Sequence, residues 1–212
     1  LLADLKSDPP SFVFNLCDEG FNNDAFQELH VPALLELFRI PYTGAGPAAL
    51  GMCYNKSYVR SIAEAIAVPV PMETYFDSDD QSATIPSVLP ALLKPVYGDS
   101  SVGITAASVV DSPTALIARL EEMRDEFPGI SLLIQEYLTG SEYSVGIVGN
   151  PGIGYQFLPV LEVDYSGLDP ALPKILGYES KWLPDSPYWT DIKYYQARLD
   201  EDVTRRLYDY SG

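Results

Sequence analysis

Apolar residues fall along the chain in short blocks separated by Pro, Gly and acidic turns. Ser11 to Cys17 (Ser-Phe-Val-Phe-Asn-Leu-Cys) is a compact apolar run with β-branched and aromatic members. It predicts a buried strand of a parallel sheet, with Cys17 as packing. From Ala25 to Phe38, the residues Leu29, Ala33, Leu34, Leu37 and Phe38 recur at helical spacing and predict a helix with one apolar face. Ile40 to Gly44 reads as a short strand and turn. A longer helix is expected from Leu50 to Ala67, with Met52, Tyr54, Val59, Ile62, Ala63 and Ile66 toward the core. Val68-Pro69-Val70-Pro71 is extended, because a residue before proline is pushed out of the helical region. Asp77 to Pro86 is polar and reads as a loop.

The second half begins with an apolar run, Leu89 to Leu93, that predicts a buried strand. It ends at Lys94-Pro95, since proline cannot donate to a sheet ladder. Ile104 to Val110 is rich in β-branched and small residues and predicts another strand. Ser112 then caps a helix that has Pro113 at its first position and Leu116, Leu120 and Met123 on one face. Phe127-Pro128-Gly129 ends it. Ser131 to Leu138 is a strand carrying Gln135 and Glu136; Gly140 turns, and the alternating Glu142 to Val148 is expected to be its antiparallel partner. Gln156 to Val163 reads as one further strand, followed by Asp164. Residues 164–187 are irregular and hold Lys174, Lys181 and Trp182, and Asp200 caps a last helix with Val203 and Leu207 inward. No internal repeat or low-complexity segment interrupts this order.

At 212 residues and 47% apolar, the chain can build one large domain or two small ones. Gly44, Gly46 and Pro47 mark a domain boundary. A net charge of −17 repels phosphate backbones and sets nucleic acid aside as a partner. It also makes each lysine informative, and there are only six: Lys6, Lys56, Lys94, Lys174, Lys181 and Lys193. Cys17 and Cys53 form neither a metal motif nor a disulfide framework. No apolar run is long enough for a transmembrane helix, and no membrane partner is expected. The chain begins Leu1-Leu2-Ala3 and ends at Ser211-Gly212, just after a helical pattern, which reads as a fragment of a longer polypeptide.

The candidate chemistry centres on Lys94 to Gly103. Gly98 and Gly103 bracket a polar loop with Ser100 and Ser101, next to a lysine on the adjoining strand. Such a loop brings N–H groups and hydroxyls to phosphate oxygens, while the lysine adds fixed positive charge. The other reading is a plain turn beside an exposed lysine. Lys56 near the start of a helix opposes the helix dipole, which fits either a functional cation or an ordinary surface lysine. Asp18 to Asp24 is a polar loop at a strand end; Glu19 either faces the amino group of a substrate or belongs to a solvated acidic turn. His30, the sole histidine, reads as structural.

Taken in order, these motifs resemble the D-alanine–D-alanine ligases of the ATP-grasp superfamily. The resemblance runs through Val13-Phe14-Asn15-Leu16, Val31-Pro32-Ala33-Leu34-Leu35-Glu36, Ile40-Pro41-Tyr42-Thr43-Gly44, Asn55-Lys56 and Val68-Pro69-Val70-Pro71. It continues in Lys94-Pro95 with Ser100-Ser101-Val102-Gly103, in Gln135 to Tyr143, and in Tyr178-Glu179-Ser180-Lys181-Trp182. It implies an α/β protein of mixed α+β elements with the ATP-grasp fold, preceded by part of a Rossmann-like subdomain. The expected divisions are residues 1–50, 51–130 and 131–212. The implied reaction joins a carboxylate to an amine through an acyl phosphate, with ATP and Mg2+ as cofactors and an amino acid such as D-alanine as substrate. It implies a place in peptidoglycan synthesis; the ATP requirement, the cysteine usage and the lack of a targeting segment lead to the expectation of a cytoplasmic location, with a homodimer as one option for assembly. By the same resemblance, Lys56, Lys94 and Lys181 meet nucleotide phosphates, and Ser100, Ser101 and Val102 cover them. Ser100, Ser101 and Lys181 act on the reacting groups. Gln135, Glu136, Tyr137 and Leu138 line the adenine, and Glu142 binds the ribose.

The departures are specific. Gln135 stands where many relatives carry glutamate, Trp182 where they usually carry tyrosine, and Asp18 to Asp24 lacks their histidine, leaving Glu19 as the substitute. The family's metal ligands are expected beyond Gly212, so no residue here is assigned to metal and this stretch alone is expected to be inactive. Two alternatives stay open: an ATP-grasp ligase for another amino acid or carboxylate, and a nucleotide-binding pseudoenzyme.

Overall fold

The computed structural model describes residues 2–79 and 88–212, so most of the loop expected at 77–86 lies outside the described residues. Helix α1 (Leu2–Ser7) leads into an extended stretch. The strand expected at residues 11–17 is reduced there to one parallel bridge, Val13 with Tyr42. Phe12, Phe14 and Leu16, on the side alternate to Val13, are exposed rather than buried because none of the described residues covers them, and Cys17 beyond the bridge is exposed as well. The helix expected from Ala25 is a 3-10 turn at Ala25–Gln27 followed by α2 (His30–Leu37). Pro32 and Leu35 face inward, whereas Leu37 is 81% exposed.

The long helix expected from Leu50 is two helices, α3 (Pro47–Cys53) and α4 (Lys56–Ala65). Asn55 breaks them: its backbone is extended, and its side chain caps α4 by accepting from Ser57 N and Tyr58 N. The break turns Tyr54 inward and leaves Met52, Val59, Ile62 and Ile66 exposed, against expectation.

Strands β1 (Glu73–Phe76), β2 (Ala91–Pro95), β3 (Val109–Val110) and β4 (Leu132–Glu136) form an antiparallel sheet ordered β1-β4-β2-β3. Alternation along β2 sends Ala91, Leu93 and Pro95 into the core and turns Leu92 and Lys94 to the opposite face. The core face packs on α5 (Pro113–Glu126) through Leu116, Leu120 and Met123. Ser112 Oγ caps α5 at Ala115 N, as its sequence predicts. Only Val109 and Val110 of the strand expected at 104–110 pair, because a 3-10 turn at Ala106–Ser108, boxed by Thr105 and Ser108, takes up the rest.

Strands β5 (Glu142–Ser144), β6 (Ile147–Asn150), β7 (Gly154–Phe157), β8 (Leu161–Asp164) and β9 (Lys193–Gln196) make two small sheets, β5-β8-β9 and the hairpin β6-β7. Thus β5 pairs with β8 and not with β4, and Leu158-Pro159-Val160 divides what reads as one strand from Gln156. Short helices α6 (Glu179–Trp182) and α7 (Pro187–Thr190) interrupt the irregular segment. Val163, Tyr165, Leu168, Ile175, Tyr188 and Ile192 form its core. Helix α8 (Glu201–Ser211), capped by Asp200, ends the chain. Among the described residues, no helix is long and apolar enough to cross a membrane.

Candidate nucleotide site

The break at Asn55 has a consequence for chemistry. It places Lys56 at the first turn of α4, where Lys56 N donates to Val96 O at 3.0 Å and Asn55 bridges Tyr97. The start of α4 is therefore stapled to the end of β2, and Lys56 and Lys94 come to lie near one another. Lys56 Nζ donates to Gly98 O at 2.7 Å, inside the glycine–serine loop. Burial, and then the Lys94 charge, lower the Lys56 pKa to about 8, with Asp99 pulling the other way. Burial also lowers the Lys94 pKa, opposed by Glu73. Two half-buried ammonium groups side by side are costly unless an anion joins them.

The loop between the lysines is held in an uncommon shape. Ser100 and Ser101 have φ of 50° and 61°, a left-handed conformation that costs non-glycine residues energy. Gly103 has φ of 76°, and a Cβ there would meet Phe127 and Pro95 at 2.8 Å. The loop is tied to the segment around α6. Ser101 Oγ donates to Leu176 O at 2.7 Å, Trp182 Nε1 donates to Ser100 O at 3.1 Å, and Tyr178 N donates to Ile104 O at 2.7 Å. The Glu179 carboxylate accepts from Ala106 N at 2.9 Å.

Lys94 thus meets Gln135, and Lys56 meets the backbone of the loop at Gly98, while Ser100 and Ser101 of that loop bond to the α6 segment, on which Lys181 is exposed next to Trp182. Gln135 does not stand free at this site, since its Oε1 accepts from Lys94 Nζ at 2.7 Å. Glu136 N donates to Met72 O at 2.8 Å, so any base pairing by Glu136 excludes that N–H. The Tyr137 hydroxyl is bonded to the Lys174 backbone, and Leu138 is exposed. Val102 turns away from the lysines, onto an apolar cavity of about 230 Å3 that Phe26, Tyr54, Tyr97 and Phe127 also line. Glu142 stands on β5, where the buried Tyr165 donates to its Oε2 at 2.5 Å. Burial first, and then Glu142, raise the Tyr165 pKa.

Glu19 is exposed and joins no cluster; Asp18 and Glu28 are the acids that approach Asp99. That trio adjoins the apolar cavity through Asp99, and Glu28 has a pKa raised by burial and by Asp18. Asp18 and Asp99 are exposed acids, and no metal role is assigned to the trio. Reading the sequence alone missed Glu73, Asp99 and Tyr165. Each lies in a segment whose pattern is too short to show which neighbour it meets.

No protein-family profile matches the chain. The chain is similar to the D-alanine–D-alanine ligase of Haemophilus influenzae (strain PittEE), 29% identical over 97% of this chain and 69% of that one. A 37% identity to the D-alanine–D-alanine ligase of Trichlorobacter lovleyi covers 58% of this chain and 39% of that one. Seven curated relatives other than the Haemophilus protein are spanned over only 39% to 57% of their length. A crystal structure of the Bacillus anthracis D-alanine–D-alanine ligase complexed with ATP superposes with a TM-score of 0.65 at 17% identity, over 100% of this chain and 61% of that one. The chain is thus similar in sequence, over most of its length, to D-alanine–D-alanine ligases, and it shares the ATP-grasp fold of their solved structures.

Proposed function

We propose that the protein is an ATP-dependent carboxylate–amine ligase acting on a small amino acid of the D-alanine class. ATP supplies a phosphoryl group to a carboxylate, and the acyl phosphate is then attacked by an amine to give an amide, ADP and phosphate. The observation that carries the reading is the pairing of Lys56 with Lys94 beside the Ser100–Gly103 loop. Two partly desolvated cations attract a polyphosphate and offset the charge that develops during phosphoryl transfer. In this reading the loop covers the phosphates and keeps water from an acyl phosphate, and its ties to the α6 segment through Ser101 and Trp182 support that role. Glu142 accepts from a ribose hydroxyl in the same reading, and its hydrogen bond from Tyr165 supports that role by fixing the carboxylate.

The comparison proteins named D-alanine–D-alanine ligase support the substrate class. A cytoplasmic setting, where ATP is at hand, and a homodimer go with the reading. One observation favours a second substrate. Trp182 stands where tyrosine is expected, and it offers an indole N–H, bonded to the Ser100 carbonyl, in place of a phenol hydroxyl. That arrangement favours an amino acid or carboxylate other than D-alanine.

The test is phosphate release from magnesium-ATP by the full-length protein. The reading predicts release that depends on D-alanine and accompanies a dipeptide. Release driven by a different amino acid moves the substrate class, and no amino-acid-dependent release contradicts the reading.

A further inference from the structure

On the face of the four-stranded sheet that carries Lys94, side chains from three adjacent strands form a row. Lys94 Nζ on β2 donates to Gln135 Oε1 on β4 at 2.7 Å. Gln135 Nε2 donates to Glu73 Oε2 on β1 at 2.9 Å, and Ser57 Oγ from α4 donates to Glu73 Oε1 at 3.1 Å. The pairing register makes this possible, since Gln135 lies opposite both Glu73 and Leu92, and Lys94 is two residues beyond Leu92 on the same face.

The ends of the row set its direction. An ammonium only donates and a carboxylate only accepts. An amide between them satisfies both in one orientation, oxygen toward Lys94 and nitrogen toward Glu73. The reverse orientation would set N–H against the ammonium and C=O against the carboxylate.

We propose that Glu73 is a positioning residue of the nucleotide site, which holds the Lys94 ammonium in place through the Gln135 amide. A carboxylate at position 135 would touch Lys94 and balance its charge by direct contact. Here a neutral amide makes the contact, and the balancing charge sits one side chain further away, where its pull is weaker. Lys94 is therefore oriented by a hydrogen bond while most of its charge stays available to an anion. The charged groups that act on these lysines are Glu73 from β1 on Lys94, and Asp99 from the loop together with Lys94 itself on Lys56. Burial lowers the Lys94 pKa and Glu73 raises it, which fits this role. The proposal rests on the reading of Lys94 as a phosphate contact.

The experiment is an exchange of the two side chains in the full chain, read by titration with a non-hydrolysable ATP analogue. Glu73→Gln removes the only carboxylate of the row, and Gln135→Glu sets two carboxylates against each other across β1 and β4. Each single variant is expected to weaken binding about tenfold, the scale of one charge-assisted hydrogen bond. The double variant carries the carboxylate on β4 and the amide on β1, restores the donor–acceptor order of the row but sets the carboxylate directly on Lys94, and is expected to bind more tightly than the product of the two singles predicts, yet more weakly than the parent. A double variant as weak as the product of the two singles overturns the proposal, and so does a Glu73→Gln variant that binds like the parent.

A second readout needs no nucleotide: the pH midpoint of the Lys94 Cε resonance, which moves down in Glu73→Gln if Glu73 acts on Lys94. An unmoved midpoint overturns the proposal. A parent chain that binds no nucleotide, with the midpoint still moving, overturns the functional reading and leaves the row intact.

Discussion

Lys56 has its charge where the local structure disfavours it. It is at the N-terminal end of α4, where the helix dipole repels a cation, and it is half-buried beside Lys94. Its pKa is lowered to about 8 in the folded chain, against an ordinary value of 10.5. Between those values the unfolded chain binds the extra proton, so the Lys56 contribution to stability rises with pH. The contribution of Lys56 to anion binding runs the opposite way and is lost as pH climbs through about 8. Lys56→Met is therefore expected to melt higher than the parent at pH 7, with the gap closing toward pH 10. A gap independent of pH would show that Lys56 is not desolvated. Lys56 was legible in the sequence because its conflict with the dipole is local. Its partner was not, since Gly98 O lies 42 positions away and comes near only when α4 is stapled to β2. Glu73 was illegible for a related reason: it opens a strand of four residues, too short for alternation to reveal which face it shares.

Among the elements, the glycine–serine loop and α6 behave as a latch and its catch. Two left-handed serines in succession persist only if something holds them, and the Ser101–Leu176 and Trp182–Ser100 hydrogen bonds do so. Trp182→Phe keeps the ring and removes the donor. Amide exchange at residues 98–103 is expected to quicken about 3- to 10-fold, the scale of one net hydrogen bond. Ser101→Ala should add to the effect, and exchange unchanged in both variants would refute the latch. Helices α5 and α8 were legible in the sequence because their signals are local: Ser112 with Pro113, and Asp200, cap them as written. Strand partners were not, because alternation reports which face is buried and never which strand lies alongside. Glu142 to Ser144 alternates as expected yet pairs with β8, whose approach depends on the long irregular segment between β8 and β9. The apolar run at Ser11 to Cys17 carries a strand composition, but with a single bridge it has no ladder to join.

At the scale of the whole molecule, a net charge of −17 would by itself keep a polyphosphate away. The chain offsets this at one place, where α4 meets the end of β2 and two of its six lysines converge. That focusing is the central claim, and titration of the chain with a non-hydrolysable ATP analogue tests it most directly, in parallel with Lys94→Ala and Lys56→Ala. The account predicts that the parent binds and that Lys94→Ala binds about 1–3 kcal/mol more weakly, the cost of losing a charge-assisted bond. Lys56→Ala should bind more weakly as well. A parent that does not bind, or variants that bind as tightly as the parent, would contradict it.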